Sequence, residues 1–330
     1  MLIRRKWFPT VLAGASLLLH ACGSGGGSAS GGPPGGGIGG TGLVAARGPI
    51  SGFGSVIVNG IEFSTQGAHI LVNGADATEA DLRLGMVVQV SGTREAGSPT
   101  ARAETIEYAR DAEGPAEIVQ PGAVLRVLGQ TVILGPDTRV SGDVTEGSVL
   151  EVSGLADATG AIRATYVRKK ADAFEPGEEI EVKGTVTEVD PAAQTFRLQG
   201  QLVSYSAADT RNLPGGRPRN GLSVRVKSVA GVVSGVLIAS KVEPEEELAP
   251  PPEETEAEIE GFVTAVASGT EFSVDGIPVD ASAATFKDGG PTDIALNARV
   301  EVEGVVRSGV VIAKEVKFKS SGRNSGEGKR

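Results

Sequence analysis

Residues 256–319 decide the fold, and they read EAEIEGFVTAVASGTEFSVDGIPVDASAATFKDGGPTDIALNARVEVEGVVRSGVVIAKEVKFK. Short runs of alternating apolar and polar residues are separated by glycine-bearing turns, a pattern typical of half-buried strands in an antiparallel sheet. The last two runs, ARVEVEGV and VVIAKEVKF, show the alternation most regularly. The stretch therefore predicts a small all-β unit.

The same order of features occurs three more times upstream. Each copy has an opening strand with a glycine, a hairpin glycine, a strand close to the form Gly-x-x-V-x-V-x-Gly and a last strand with Ala-x-x-Ile/Val; Leu150 and Ser228 depart from the form in copies 2 and 3. In the Gly-x-x-V-x-V-x-Gly strand, the apolar residues should face one side, and the residue between them, such as Glu151, should face water. Asn297 replaces the first glycine in the fourth copy, because Asn tolerates a left-handed backbone. The recurrence indicates four repeats of one module.

Hairpin turns and short helical turns place these strands within each repeat. Asn59-Gly60 and Asp275-Gly276 are strong signals for two-residue hairpins, since both central residues accept a positive φ. Residues 76–84 predict one or two helical turns in repeat 1, and residues 292–296 predict a shorter version in repeat 4. Three strands, a short helix and two strands follow the order of the OB-fold, a five-stranded barrel. The predicted fold class is therefore all-β, with four tandem small antiparallel OB-like barrels.

Composition changes divide the chain into eight segments. In order, they are a signal peptide at residues 1–21, a Gly/Ser-rich tether at 22–46, repeat 1 at 47–110, repeat 2 at 111–170, repeat 3 at 178–243, an acidic proline-rich linker at 244–255, repeat 4 at 256–319 and a disordered tail at 320–330. The linker contains three consecutive prolines and several acids, so we expect it to be extended and to hold repeat 4 away from the other repeats.

The N-terminal segment resembles the signal of bacterial lipoproteins. Three cationic residues at positions 4–6 precede an apolar run that is too short to span ~30 Å of hydrocarbon as a helix. The run ends in LHAC, which is similar to the lipobox, although His20 stands where a small residue is usual. The resemblance implies that Cys22 is acylated and anchors the protein in the cell envelope. Because Gly23 rather than Asp follows the cysteine, it implies the outer membrane.

The repeats themselves resemble the bacterial domain-of-unknown-function family numbered 5666. The resemblance rests on the tandem Gly-x-x-V-x-V-x-Gly strands and the Ala-x-x-Ile/Val strands, and it covers most of residues 47–319. Members of that family often occur as repeats behind a lipoprotein signal. The resemblance implies no activity and no catalytic residue.

The composition disfavours most catalytic and nucleic-acid functions. The net charge is −10, so the chain should repel phosphate backbones, and we expect no nucleic-acid partner. Cys22 is the single cysteine, and His69 is the one histidine outside the signal peptide. A Ser-His-Asp triad or a Cys/His metal site therefore lacks its parts. We expect no cofactor and no metal, and we expect that the protein is not an enzyme.

One loop of repeat 3 is a candidate binding site. It carries a cluster of cationic residues, with Phe196 and Tyr205 as the nearby aromatic residues; the cations are Arg211, Arg217, Arg219, Arg225 and Lys227. A polyanion such as an acidic glycan could bind there, whereas a solvated charged loop is the alternative.

A set of acids in repeat 2 has two interpretations as well. Asp137, Asp143 and Glu146 could meet at one loop and hold Ca²⁺, although the EF-hand spacing is absent, or they could be solvated loop acids.

Two functions remain after these exclusions. The first is a lipid-anchored, non-catalytic scaffold or spacer whose repeats contact envelope proteins or glycans. The second is a ligand-binding module that uses the basic loop of repeat 3.

Overall fold

Strands dominate the computed structural model, which describes residues 42–95, 98–245 and 251–319. Repeat 1 contains β1 (Leu43–Gly52), β2 (Val56–Val58), β3 (Ile61–Ser64), β4 (His69–Val72), β5 (Ala75–Ala77), β6 (Val87–Thr93) and β7 (Thr100–Tyr108). Repeat 2 contains β8 (Ala112–Gln120), β9 (Val124–Val127), β10 (Gln130–Ser141), β11 (Val149–Ala156) and β12 (Ile162–Ala171).

The second half of the chain is also built from strands. Repeat 3 contains β13 (Ile180–Asp190), β14 (Thr195–Leu198), β15 (Gln201–Ser204), β16 (Ser223–Ser228), β17 (Val232–Val233), β18 (Val236–Ile238) and β19 (Lys241–Pro244). Repeat 4 contains β20 (Glu256–Val266), β21 (Glu271–Val274), β22 (Ile277–Asp280), β23 (Thr285–Lys287), β24 (Arg299–Arg307) and β25 (Val310–Phe318). The all-β prediction is confirmed. The helical turns are single 3-10 turns at Glu79–Asp81, Pro214–Gly216 and Pro291–Asp293.

The predicted turns have the expected backbone. Asn59 and Gly60 have φ of 51° and 84°, and Asp275 and Gly276 have φ of 50° and 82°, as a type I′ hairpin turn requires. Asn297 has φ of 68°, which confirms that it stands in for a left-handed glycine. The local sequence signals are therefore consistent with the fold that forms.

Strand pairing closes into a ring within a repeat. In repeat 1, β1 pairs with β2 and β6, β2 pairs with β3, β3 pairs in parallel with β7, and β7 pairs with β6. Repeats 2 and 4 repeat this pattern with their own five main strands. In repeat 3 the last strand is divided, so that β18 pairs with β15 and β19 pairs with β16.

The second glycine of the Gly-x-x-V-x-V-x-Gly strand lies against the last strand of its ring. The pairing register shifts at Gly92, Gly154 and Gly304, which marks a bulge at the same place in three repeats. A Cβ at Gly154 would fall on the carbonyl oxygen of Arg163 and within 2.7 Å of the Ile162 side chain. Repeat 3 has Ser228 at this position, where its Oγ donates to the Ile238 carbonyl at 2.6 Å next to the division of the last strand. The second glycine of the motif is therefore required where the backbones of two strands approach closely.

Repeat 4 does not stand apart from the others, so the predicted spacing of repeat 4 is wrong. Residues 44–47 of β1 pair in parallel with residues 256–259 of β20, and we call this pairing the seam. The seam gives the first half of each strand a second neighbour, which removes an open sheet edge. The end of the linker is also held, because the Glu253 carboxylate accepts the backbone N–H groups of Ser308 and Gly309 at 2.9 and 3.0 Å.

Repeats 2 and 3 form the other pair. Residues 112–113 of β8 pair with residues 181–182 of β13, and the interiors of both repeats belong to one hydrophobic core. Repeats 1 and 4 have their own cores, although Tyr166 of repeat 2 packs into that of repeat 1. All described residues belong to a single compact unit. The modules are thus arranged as two linked pairs rather than in a row.

The prediction that Glu151 faces water is wrong, because this residue is only 1% exposed. Its strand, β11, has one face in the core of repeat 2 and the other against repeat 1, where Ser153 Oγ accepts the N–H of Val87 at 3.1 Å. The Glu151 carboxylate accepts a hydrogen bond from Tyr108 Oη at 2.8 Å and pairs with Arg168 at 2.6 Å. Contact between repeats, which the pattern of a single strand does not encode, buries this residue.

The N-terminal boundary also differs from the prediction. Strand β1 begins at Leu43, four residues before the predicted start of repeat 1 at 47 and inside the predicted tether. The signal peptide, Cys22 and the tail at 320–330 lie outside the described residues. In the part of the chain that is described, no helix is long and apolar enough to cross a membrane.

Candidate functional site

Three of the five cations predicted to form a site in repeat 3 make ion pairs within the protein. Arg225 and Lys227 lie on β16, where Arg225 pairs with Glu245 at 3.0 Å and Lys227 pairs with Glu179 at 3.1 Å. Arg211 is exposed and pairs with Asp209 at 2.7 Å. These three charges are largely matched by neighbouring carboxylates.

The other two cations, Arg217 and Arg219, remain exposed on the loop before β16. Among the described residues neither makes an ion pair. The guanidinium of Arg219 lies over the turn at Pro214–Gly216, 2.6 Å from the position that a Cβ on Gly215 would occupy. These two residues are therefore the part of the predicted site that is available to an anion.

The aromatic residues near this loop form no open stacking surface. Phe196 is fully buried in the core shared by repeats 2 and 3. Tyr205 is half-buried, and its ring centroid lies 5.9 Å from that of Phe196. Oligonucleotide-binding barrels present exposed aromatic faces on which bases stack. The loop of repeat 3 offers charge without such a face.

The acids of repeat 2 are not brought together as a metal site. The Glu146 carboxylate accepts the N–H of Ile118 at 2.7 Å, and Asp137 lies 3.6 Å from Arg299 of repeat 4. Within the described residues, no group of three or more His, Cys, Asp or Glu side chains could hold a metal ion. His69 is exposed, and its Nε2 lies 2.7 Å from the carboxylate of Asp76.

Sequence reasoning missed a cleft between repeats 1 and 4, bordered by Asp137 of repeat 2. We call it the inter-repeat cleft, and it consists of two adjoining cavities of about 430 and 180 Å³. Its charged lining residues are Arg94, Asp137, Glu258, Glu260, Asp288, Arg299, Glu301, Glu303, Glu315, Lys317 and Lys319. The lining is mostly acidic, so the cleft suits cationic rather than anionic groups.

Strand register builds the acidic wall of the inter-repeat cleft. Glu258 on β20 lies directly opposite Glu303 on β24, and Glu303 lies opposite Glu315 on β25. Three carboxylates therefore form a row across three neighbouring strands. Like charges directly opposite each other destabilise a sheet, so this row needs cations or protons nearby.

Repeat 1 supplies the opposite wall. The side chain of Asn59, in the turn between β2 and β3, donates from Nδ2 to the carbonyl of Arg47 at 2.9 Å and to that of Glu258 at 3.0 Å. Arg94, which follows β6, pairs with Glu256 at 2.7 Å and lies 3.4 Å from Glu258. The hairpin signal Asn59-Gly60 thus also fixes the position of repeat 4.

Glu258 is the most perturbed acid in the cleft. Burial raises the pKa of its carboxyl to about 7, and Glu303, Glu301 and Glu256 add to the increase, while Arg94 opposes it. A carboxyl with such a pKa changes its charge near neutral pH. The charge of the cleft is therefore sensitive to pH near neutrality.

A second buried network joins repeats 1, 2 and 3. Arg110 pairs with Glu113 at 3.0 Å and with Glu181 at 3.1 Å, and its side chain is 12% exposed. Burial, with Glu151 as the next contribution, raises the pKa of Tyr108 well above its usual value. The acids and cations of this network are matched within the protein, which indicates a structural junction.

The comparisons with known proteins agree with the repeat pattern. The model of a family described as "Domain of unknown function (DUF5666)" matches residues 41–107, 113–168, 183–243 and 260–317. The comparison with curated proteins gave no match. The four matches follow the four rings of strands and together cover more than half of the chain. The chain therefore belongs to the DUF5666 family, of which it carries four tandem copies.

Proposed function

We propose that this protein is a lipid-anchored, non-catalytic interaction scaffold of the cell envelope, built from four OB-like barrels. The observation that carries the proposal is the linkage of the repeats by strand pairing, through the seam in one pair and through β8 and β13 in the other. While these strands are paired, the outer faces of the linked repeats are held in fixed relative positions. A fixed set of faces suits a docking platform better than an extendable spacer.

The OB-like assignment rests on strand order. In repeat 1 the ring runs through the first, second, third, fifth and fourth of the main strands and returns to the first. A 3-10 turn at Glu79–Asp81 falls between the third and fourth main strands, where an OB-fold has its helix. Repeat 4 has the same order with its turn at Pro291–Asp293.

The absence of catalysis is also a proposal. Two buried carboxylates that could act as an acid or base, Glu151 and Glu260, are held in ion pairs with Arg168 and Arg299 of the same protein. A catalytic pair needs an acid or base left free to exchange protons with a substrate.

The anchor rests on Cys22 and its lipobox-like context. Two or more acyl chains give stable membrane attachment, since each buried CH₂ contributes about 0.8 kcal/mol. We expect the Cys22→Ser variant to leave the membrane fraction for the soluble fraction, because it cannot be acylated. Fractionation with a carbonate wash, with metabolic labelling by palmitate, measures this. Persistence of the variant in the washed membranes would contradict the anchor.

The same preparation tests the scaffold. Small-angle scattering of the unanchored Cys22→Ser protein should show the four repeats as one compact body, because the repeats are linked by strands. A profile of four separately moving bodies would contradict a fixed platform, whatever the result for the anchor.

A polyanion-binding loop is the second candidate, because Arg217 and Arg219 are exposed without ion pairs among the described residues. We expect the double variant Arg217→Glu, Arg219→Glu to elute from heparin at a lower salt concentration than the wild type. Arg211→Glu is the matched control, since Asp209 already neutralises that cation. Equal elution of wild type and double variant would exclude the loop as a polyanion site.

A further inference from the structure

Glu258 occupies the centre of the seam between repeats 1 and 4. Its strand, β20, pairs with β1 on one side and with β24 on the other, and Glu258 is 8% exposed. The residue opposite it on β1 is Ala46, and its own carbonyl accepts the hydrogen bond from Asn59. The carboxyl thus lies where the two repeats are joined by backbone hydrogen bonds.

Carboxylates outnumber the cations that face this position. Glu256 on the same strand competes with Glu258 for the guanidinium of Arg94, and Arg94 is closer to Glu256. Glu303, directly opposite, makes no ion pair among the described residues. The remaining charged groups around the carboxyl are already paired: Glu301 with Lys319 at 2.6 Å, Glu315 with Lys287 at 2.6 Å, and Glu256 with Lys314 at 3.8 Å.

Ionisation of Glu258 therefore costs free energy in the closed seam. A negative charge there is buried, lies directly opposite Glu303 on the neighbouring strand and shares one cation with Glu256. In an open seam the carboxyl would be hydrated and would ionise more easily. The closed and open states thus bind protons with different affinities.

We propose that the seam is a pH-responsive joint, which is closed while Glu258 is protonated and loosens when Glu258 ionises. Loosening exposes the edges of β1 and β20 over residues 44–47 and 256–259. The joint does not depend on the membrane anchor.

The sign and size of the effect follow from linkage. The pKa of Glu258 is raised to about 7 in the closed state, against an unperturbed value of about 4.3. Its protonated form therefore stabilises the seam, and that stabilisation is lost as the pH rises through 7. Between pH 6 and pH 8 the closing equilibrium should fall about tenfold.

Hydrogen exchange in the full chain measures this equilibrium. Within residues 44–47 and 256–259, we expect the protection of the amides that donate across the seam, corrected for intrinsic exchange, to fall about tenfold between pH 6 and pH 8. Amides of β16 in repeat 3, which is outside the seam, serve as the internal reference and should not change. Constant protection of the seam amides over this range would overturn the proposal.

Two variants assign the effect to one carboxyl. Glu258→Gln mimics the protonated form, so its seam protection should stay high at pH 8. Glu260→Gln is the matched control, because Glu260 is the next acid on the same face of β20 and pairs with Arg299 at 2.7 Å. Glu260→Gln should keep the tenfold change, and an unchanged pH dependence in Glu258→Gln would refute the assignment.

A direct titration keeps the test independent of the variants. Carbon-13 NMR of the wild-type side-chain carboxyls should show Glu258 titrating near pH 7. A midpoint below about 5, close to the value of a free glutamate, would overturn the joint even if both variants fold poorly.

Discussion

The Val302→Asp variant is expected to lose the folded structure of repeat 4. Val302 is fully buried, and its strand neighbours Ile259 and Val316 belong to the same core. An unpaired carboxylate in that core costs about 3–5 kcal/mol, which is comparable to the whole stability of a small domain. Limited proteolysis with mass mapping should show early cleavage within residues 256–319.

The cores predict which parts survive this substitution. Repeats 2 and 3 share a core that excludes Val302, and β1 keeps β2 and β6 as neighbours when the seam is lost. Fragments that contain repeats 1 to 3 should therefore remain resistant. Val305→Asp, on the half-exposed face of β24, is the control and should leave repeat 4 intact. Simultaneous digestion of all four repeats would mean that they unfold as one cooperative unit.

The Gly154→Ala variant is expected to destabilise the protein by about 2–3 kcal/mol. The added methyl group would overlap the Arg163 carbonyl oxygen and press on Ile162, and most of what it meets is backbone, which cannot rotate away. Strand β11 contacts repeat 1 on its other face, so it has little room to shift. Urea denaturation followed by circular dichroism gives the free energy of unfolding.

Gly135→Ala is the matched control for that substitution. Gly135 also lies in repeat 2, nothing lies within 4 Å of the added Cβ, and its φ is not in the left-handed region. We expect a change within about 0.5 kcal/mol. Equal destabilisation by the two variants would mean that the close approach at Gly154 does not limit stability.

Local features of the fold were predictable because they depend on residues that are close together in the sequence. Asn59-Gly60 and Asp275-Gly276 signal two-residue turns, and both have the positive φ that the sequence requires. The alternation in ARVEVEGV predicts that Val300 and Val302 share one face of their strand, and both are fully buried. The family comparison recovers the same four repeats. Each of these inferences needs only the strand period and the turn chemistry.

Contacts between repeats were not predictable in the same way. Glu151 and Glu301 occupy equivalent positions in their motifs, yet Glu151 is buried against repeat 1 and Glu301 lines the inter-repeat cleft. Their different surroundings depend on which repeats become neighbours. The three prolines of the linker suggested separation, but a stiff connection between repeats 3 and 4 does not fix where repeat 4 goes.

The candidate site shows the same limit. Arg225 and Lys227 looked free in the sequence because their partners, Glu245 and Glu179, lie 20 and 48 residues away along the chain. The acidic row that includes Glu258 was visible only as alternating glutamates on separate strands. Pairing register turns those separate strands into one charged surface, and register between distant segments is not encoded by periodicity.

The seam between β1 and β20 has a consequence for the number of copies. Solenoid arrays stack indefinitely until a terminal cap stops them, whereas here the first copy is bonded to the last. A further copy of the module could not pair with residues 44–47 or 256–259, because these two edges already pair with each other.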